Sequence, residues 1–319
     1  MSEEMQGVEQ YPGGRKAIPQ ARDRLQSRVL VAVVGILLAL ETIRVLQQVY
    51  FLWGEQNIRE YILLAEIVGI GVAFAGLVLS LRAATVAGAL FGGMISLILV
   101  NGTASSEYTI VRSGLAPLAL LFVLTFLSTR AGRRVKAQAG LAEKRHGRSS
   151  AQVIANLSIA GLVVSALGFE LVMGGGVCCG TPYYKVWVWP AMMMCLAALV
   201  EATADTVASE IGQAFGGRPV MLLTLKQVDP GADGAVTLLG SLAGIMGGTF
   251  VAGVGMWALR LRPSQAAIAL FAGICGLFFD SFLGATVERR GWIGNDLVNF
   301  TSTLFAAILA AVVYRFFVL

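Results

Sequence analysis

Apolar stretches recur along the chain at residues 29–53, 61–81, 83–101, 113–129, 152–173, 186–206, 235–258, 265–285 and 296–318, separated by short polar or glycine-containing joints. A helix needs roughly 17–25 such residues to cross a hydrocarbon core, so the pattern predicts nine spans. Ahead of them, the stretch to about Gln26 has no apolar period and holds Pro12-Gly13-Gly14 and Pro19. It predicts a disordered tail over 1–27. The first apolar run, Val29 to Trp53, is long enough to span and lacks a small-residue cleavage site, so it reads as a helix that stays in the chain. The division that follows is 28–129 for the N-terminal spans, 130–151 for a basic loop and 152–319 for a C-terminal bundle.

Composition agrees with the pattern. With 56% hydrophobic and 13% charged residues and a mean hydropathy of +0.75, the chain is expected to be an all-α, polytopic membrane protein rather than a soluble globule. Its net charge of +5 is modest, and the distribution says more than the sum. With the N-terminus cytoplasmic, 17 of the 24 Lys and Arg fall on the cytoplasmic side and six on the other, with Arg44 inside the first span. The positive-inside rule therefore predicts an N-terminus in and a C-terminus out, against which Arg260 and Arg262 stand on the wrong side. The lipid bilayer is the expected partner, in a bacterial cell the inner membrane, and nucleic acid is not.

Candidate chemistry enters with the polar residues inside the apolar runs. Glu201-Ala-Thr-Ala-Asp205-Thr206-Val-Ala-Ser209-Glu210-Ile-Gly212 carries three carboxylates into the end of the sixth span. An ionised acid near the centre of a membrane helix costs roughly 3 kcal/mol, so such residues persist mainly where they face a bundle interior or a wet cavity. On a helix Glu201, Asp205 and Ser209 share one stripe, and Glu210 points elsewhere unless the helix ends first. Gly212, Gly216 and Gly217 predict an ending nearby.

The other intramembrane polar groups map to the same predicted face. Gln152 and Asn156 open the fifth span just after Arg148; Lys226, Asp229, Asp233 and Gly234 lead into the seventh; Asp280-Ser281 ends the eighth; Asn295, Asp296 and Asn299 open the ninth. Any one of these alone reads as a cap or an interfacial side chain. As a set, convergence on one cytoplasm-facing pocket accounts for them better. Gly240, Gly244 and Gly248, and then Gly273, Gly276 and Gly284, form stripes that let helices approach closely. The first four spans are poor in such groups. Glu41 and Arg44 are expected to pair within the first helix, Glu66 is a lone acid, and these read as structural or accessory.

Several chemistries are disfavoured. A single His146 argues against a histidine-centred triad or metal site, and Cys178, Cys179, Cys195 and Cys275 lack zinc-type spacing, the vicinal pair reading as small apolar packing. Neither a G-x-x-x-x-G-K-[ST] loop nor a kinase glycine-rich loop is present. Acids, a few cations and helix ends at a membrane surface nonetheless suit phosphoryl transfer from a nucleotide to a lipid. Carboxylates hold Mg²⁺, and helix N-termini offer free N–H groups to anions.

The ordered motifs Ala204-Asp205-Thr206-Val-Ala-Ser209-Glu210-Ile-Gly212, Gly234-Ala-Val-Thr237-Leu-Leu-Gly240, Asp280-Ser281-Phe-Leu-Gly284-Ala285-Thr286 and Asn295-Asp296-Leu-Val-Asn299-Phe300 resemble those of the integral membrane family catalogued as domain of unknown function ninety-two. Thr129-Arg130-Ala-Gly132-Arg133 and Arg148-Ser-Ser-Ala-Gln152-Val-Ile-Ala-Asn156 are similar to its pattern as well. That family includes a plant phytyl-phosphate kinase and is thought to be related to CTP-using lipid enzymes. The resemblance implies a nucleotide-dependent kinase for an isoprenyl monophosphate such as phytyl or geranylgeranyl phosphate, with CTP as donor.

On that reading Asp205, Glu210 and Asp280 hold Mg²⁺ against the nucleotide phosphates, while Lys226, Arg148 and Arg133 offset charge. Gln152, Asn156, Asp296 and Asn299 orient donor or acceptor, with Glu201, Ser209, Asp233 and Ser281 completing the substrate-binding set. The departures are Asp229-Pro230-Gly231-Ala232-Asp233-Gly234, which adds acids where the family has a glycine-rich stretch, and a segment after Asn156 without the expected glycine. A cation- or proton-coupled transporter and a CTP-dependent lipid cytidylyltransferase are the alternatives.

Overall fold

One helix, α8 (Pro182–Phe215), sits at the centre of the molecule and touches α4, α6, α9, α10 and α11. Every residue from Ala191 to Ala204 is buried, Glu201 and Thr203 among them, and from Ala191 to Val200 the helix is apolar on all sides, as expected of a central one. The computed structural model describes residues 18–52, 58–104, 110–141, 147–173 and 182–317. Around α8 run α1 (Gln20–Leu52), α2 (Ile58–Ser80), α3 (Val86–Thr103), α4 (Leu115–Arg130), the short α5 (Arg133–Gln138), α6 (Ser150–Val163), α7 (Ala166–Met173), α9 (Leu238–Ala258), α10 (Pro263–Leu283) and α11 (Asn295–Phe317). Two two-residue strands, β1 (Val220–Met221) and β2 (Ala235–Val236), pair antiparallel in the α8–α9 connection. Among the described residues seven helices are long and apolar enough to cross a membrane, and α4 and α6 are shorter apolar helices. The polytopic helical architecture is thus as expected.

Three boundaries differ from the sequence pattern. Helix α1 begins at Gln20, inside the stretch expected to be disordered. Its first turns are held by long-range bonds: Arg22 to the Gly291 carbonyl, Gln26 to the Trp292 carbonyl, and Ser27 to Asp296. The fifth apolar run is broken at Val164–Ser165 into α6 and α7. The Ser165 hydroxyl accepts from Gly168 N, and Glu41 accepts from Leu167 N at 2.6 Å, so an intramembrane carboxylate caps the start of α7. Helix α8 runs nine residues past its expected end, to Phe215, which keeps Glu210 on regular helical geometry. His146, Cys178 and Cys179 lie outside the described residues.

The glycine stripes do what they predict. A Cβ on Gly244 would lie 2.5 Å from the Ala204 carbonyl oxygen, and one on Gly273 would lie 2.4 Å from Val200 Cγ1, so α9 and α10 both press on α8 at backbone distance. Glu41 pairs with Arg44 as expected, and Arg44 also reaches Glu170 at 2.8 Å. Arg260, one of the two arginines that run against the expected topology, donates to the Thr103 carbonyl at 3.0 Å, at the C-terminal end of α3.

Candidate active site

A polar cavity of about 390 Å³ opens between α6, α8, α10 and α11 beneath the 216–237 connection. Of the residues singled out from sequence, Asp205, Ser209 and Glu210 line it from α8, Gln152 and Asn156 from α6, Asp280 and Ser281 from α10, Asn299 from α11, with Arg148 and Asp233 from the loops. Gly234 closes the roof in a left-handed conformation (φ +72°). A Cβ there would meet Ala285 N at 2.1 Å, so the loop can lie on the π-helical turn Gly284–Glu288 with glycine alone.

The acids are held in an ordered way. Glu201, one turn deeper than Asp205, is buried: Ser302 donates to its Oε1 at 2.7 Å and Thr303 to its Oε2 at 2.8 Å. The Ser302 hydroxyl also lies 3.2 Å from Asp280 Oδ2. With its amide nitrogen turned toward them, Asn299 donates to Asp280 Oδ2 and to the Asn295 carbonyl, each at 3.2 Å. Among the described residues both hydrogen bonds to Asp280 fall on Oδ2, so Oδ1 is open to a ligand. Asp280 feels the charges of Asp205, Glu201 and Glu288, and Asp205 feels that of Arg148. The single proton of Ser302 thus serves a neighbourhood richer in acceptors and negative charge than in donors, and such a donor set suits a hard divalent cation.

Arg148 is fixed by its backbone. It donates to the Ala83 carbonyl and accepts from Thr85 N, both at 3.0 Å, which ties the start of α6 to the α2–α3 joint. Ser149 and Gln152 form a reciprocal capping box, and Asn156 Nδ2 donates to the Gln152 carbonyl at 2.8 Å. Gln152 is therefore a helix cap and a cavity wall at once.

Besides Glu201, which is buried below the cavity rather than on its lining, three expected residues sit elsewhere. Lys226 is exposed in the hairpin connection, away from the cavity, because the β1–β2 pairing turns its loop outward. Asp296 accepts from Ser27 at 2.6 Å, since it lies about 100° around α11 from Asn295 and so faces α1. Arg133 lines a second, larger cavity instead. Glu210 touches the polar cavity, yet its carboxylate is engaged by Lys136, through a short contact, and by Thr129 at 3.3 Å. Lys136 is 1% exposed and also donates to the Ser128 and Thr129 carbonyls at 3.2 and 2.8 Å. It was not foreseen, because from sequence it is one of several basic residues in a loop. Ser302 and Thr303 were missed too; the signal was their place one turn after Asn299.

Fold and cavity together define a polytopic helical membrane protein with an acid-rich polar pocket at one end of its bundle. The chain belongs to the family described as integral membrane protein DUF92, whose model matches residues 69–307. It is 30% identical over 207 residues to the chloroplastic protein VTE6 of Arabidopsis thaliana, covering 64% of this chain and 59% of that one. An uncharacterized membrane protein of Synechocystis is 30% identical over 201 residues, covering 62% of this chain and 72% of its own length. One from Methanocaldococcus jannaschii is 32% identical over 124 residues, covering 39% and 52%. No solved structure matches the chain.

Proposed function

We propose that this protein is a membrane-embedded kinase that transfers the γ-phosphoryl group of a nucleotide, CTP by family resemblance, to an isoprenyl monophosphate. The observation that carries the reading is the meeting of Asp205, Asp280, Arg148 and three helix N-termini, those of α6, α9 and α11, around one cavity. Helix N-termini and Arg148 suit phosphate oxygens, and the carboxylates suit a cation between those oxygens. Among the described residues no three Asp, Glu, Cys or His side chains converge as a ready-made metal set. Mg²⁺ is commonly bound by one or two carboxylates together with substrate phosphates and water, so Asp205 and Asp280 fit it as a pair. Bound there, the ion would neutralise charge on the transferring phosphoryl group.

The chain's own residues then have limited tasks. Asp280 is oriented by Asn299 and Ser302, and Arg148 offsets charge beside Asp205. Gln152, Asn156 and Ser209 offer hydrogen bonds along the wall. An oxygen of the acceptor phosphate attacks the γ-phosphorus, the bond from that phosphorus to the β,γ-bridging oxygen breaks, and CDP leaves with the electron pair. The acceptor oxygen is already ionised at neutral pH, so no base need remove a proton, and positioning carries the rate. In this reading the pocket faces the cytosol, where the nucleotide is. Asp205→Asn or Asp280→Asn in the purified, folded protein is expected to lower prenyl diphosphate formation on the order of 10²–10³-fold. Unchanged turnover in either variant would remove these residues from the mechanism.

A further inference from the structure

Behind the polar cavity lies a larger one of about 1250 Å³ between α2, α3, α4 and α6, which shares the wall Arg148, Gln152 and Asn156 with it. Its size exceeds the roughly 300–1,000 Å³ of ordinary small-molecule pockets. We infer that this second cavity is the acceptor site, holding a single-chain isoprenoid in its apolar shaft and the phosphate headgroup at its arginine rim. The inference rests on the kinase reading for its chemistry, but it assigns a place and residues that the reading does not.

Two features of the lining point to that ligand. Within the shaft, Phe74 meets Phe122 edge to face with centroids 5.8 Å apart, Phe122 stacks on Phe126 at 5.6 Å, and the Arg130 guanidinium lies 3.7 Å from the Phe126 centroid. This ladder follows α4 for eight residues, about 12 Å, from mid-helix to the mouth. Flat aromatic faces in series suit a branched, unsaturated chain, and the guanidinium at the end suits an anion. Around the mouth stand Arg82, Arg130, Arg133 and Arg134. Among the described residues none of the four is ion-paired with a carboxylate; the ion pairs there are those of Arg44 with Glu41 and Glu170 and of Lys136 with Glu210. Arg82 adopts a left-handed backbone (φ +52°) at the end of α2, a conformation that costs a non-glycine residue energy and turns the chain back at the cavity mouth. A phosphate held at this rim lies beside Arg148, on the wall common to both cavities, so acceptor and donor would meet there.

The test uses the full chain in phosphatidylcholine nanodiscs and a geranylgeranyl phosphate carrying a diazirine in its chain. Photolabel is expected in peptides containing Phe74 and Phe122. It should be competed by unlabelled geranylgeranyl phosphate and unaffected by equal inorganic phosphate or dioleoyl phosphatidic acid. Because Arg133 is exposed, Arg133→Gln should leave the fold intact; it should raise the KM for the lipid about tenfold with the KM for CTP unchanged. Label on α9 to α11 in an active protein would overturn the acceptor site, as would full competition by inorganic phosphate or by the diacyl lipid. Labelling at Phe74 and Phe122 in a protein that transfers no phosphoryl group would instead sustain the site and refute the kinase reading.

Discussion

The two cavities are built from opposite materials and divided by a single helix start. One is small, roofed by a loop and lined by acids and amides from the C-terminal helices; the other is large, walled by Phe and Leu from α2 to α4 and rimmed by arginine. The acidic cavity would need a cation before it could receive an anion, whereas the basic rim can receive one directly. What the contrast teaches is that α2, α3 and α4, apolar and poor in polar groups, do more than flank the bundle. They form most of a compartment whose remaining wall belongs to the candidate active site.

The sharpest way to break the comparison is at the strut that fastens the arginine-bearing α5 to α8. Lys136→Met would leave Glu210 without its buried partner, and loss of one member of such a pair costs roughly 3–5 kcal/mol. Thermal unfolding in detergent should register a clear drop in Tm, partly recovered in Lys136→Met/Glu210→Gln. An unchanged Tm would mean the pair carries little of the packing. A smaller effect is expected from Ser302→Ala, which removes the hydroxyl between Glu201 and Asp280. Turnover should fall on the order of tenfold while the KM for the lipid stays constant, since the loss falls in the acidic cavity alone. Smallest of all is Lys226→Ala, within about 0.5 kcal/mol in stability and without effect on rate. A large loss of activity there would return Lys226 to the role its sequence context gave it.

Much of this was legible before any fold was known, and the reasons are local. The i, i+4, i+8 spacing of Glu201, Asp205 and Ser209 survives because α8 is one regular helix through Phe215. The same regularity explains why Glu210 turns away. Stripes at Gly240, Gly244 and Gly273 reported contacts correctly because a missing side chain in an apolar run has few other uses. What stayed hidden depends on pairing between distant segments. Nothing near Lys136 reveals that it reaches Glu210, 74 positions on, and nothing near Glu41 reveals that it caps α7. The aromatic ladder is equally invisible, because Phe74, Phe122 and Phe126 look like ordinary span residues until the fold brings the ring of Phe74 from α2 to that of Phe122 on α4 at the cavity lining. Lys226 shows the converse: a lysine just ahead of Asp229 and Asp233 reads as part of a site, whereas a two-residue β pairing sets it off the cavity lining.

Which phosphorus moves separates a kinase from a cytidylyltransferase or a transporter most directly. Purified protein in nanodiscs, given geranylgeranyl phosphate and CTP labelled either at the γ or at the α position, should yield labelled lipid from the γ-labelled nucleotide alone, with CDP as the other product. Lipid labelled from the α position, with pyrophosphate released, or no labelled lipid from either nucleotide, would contradict the kinase reading.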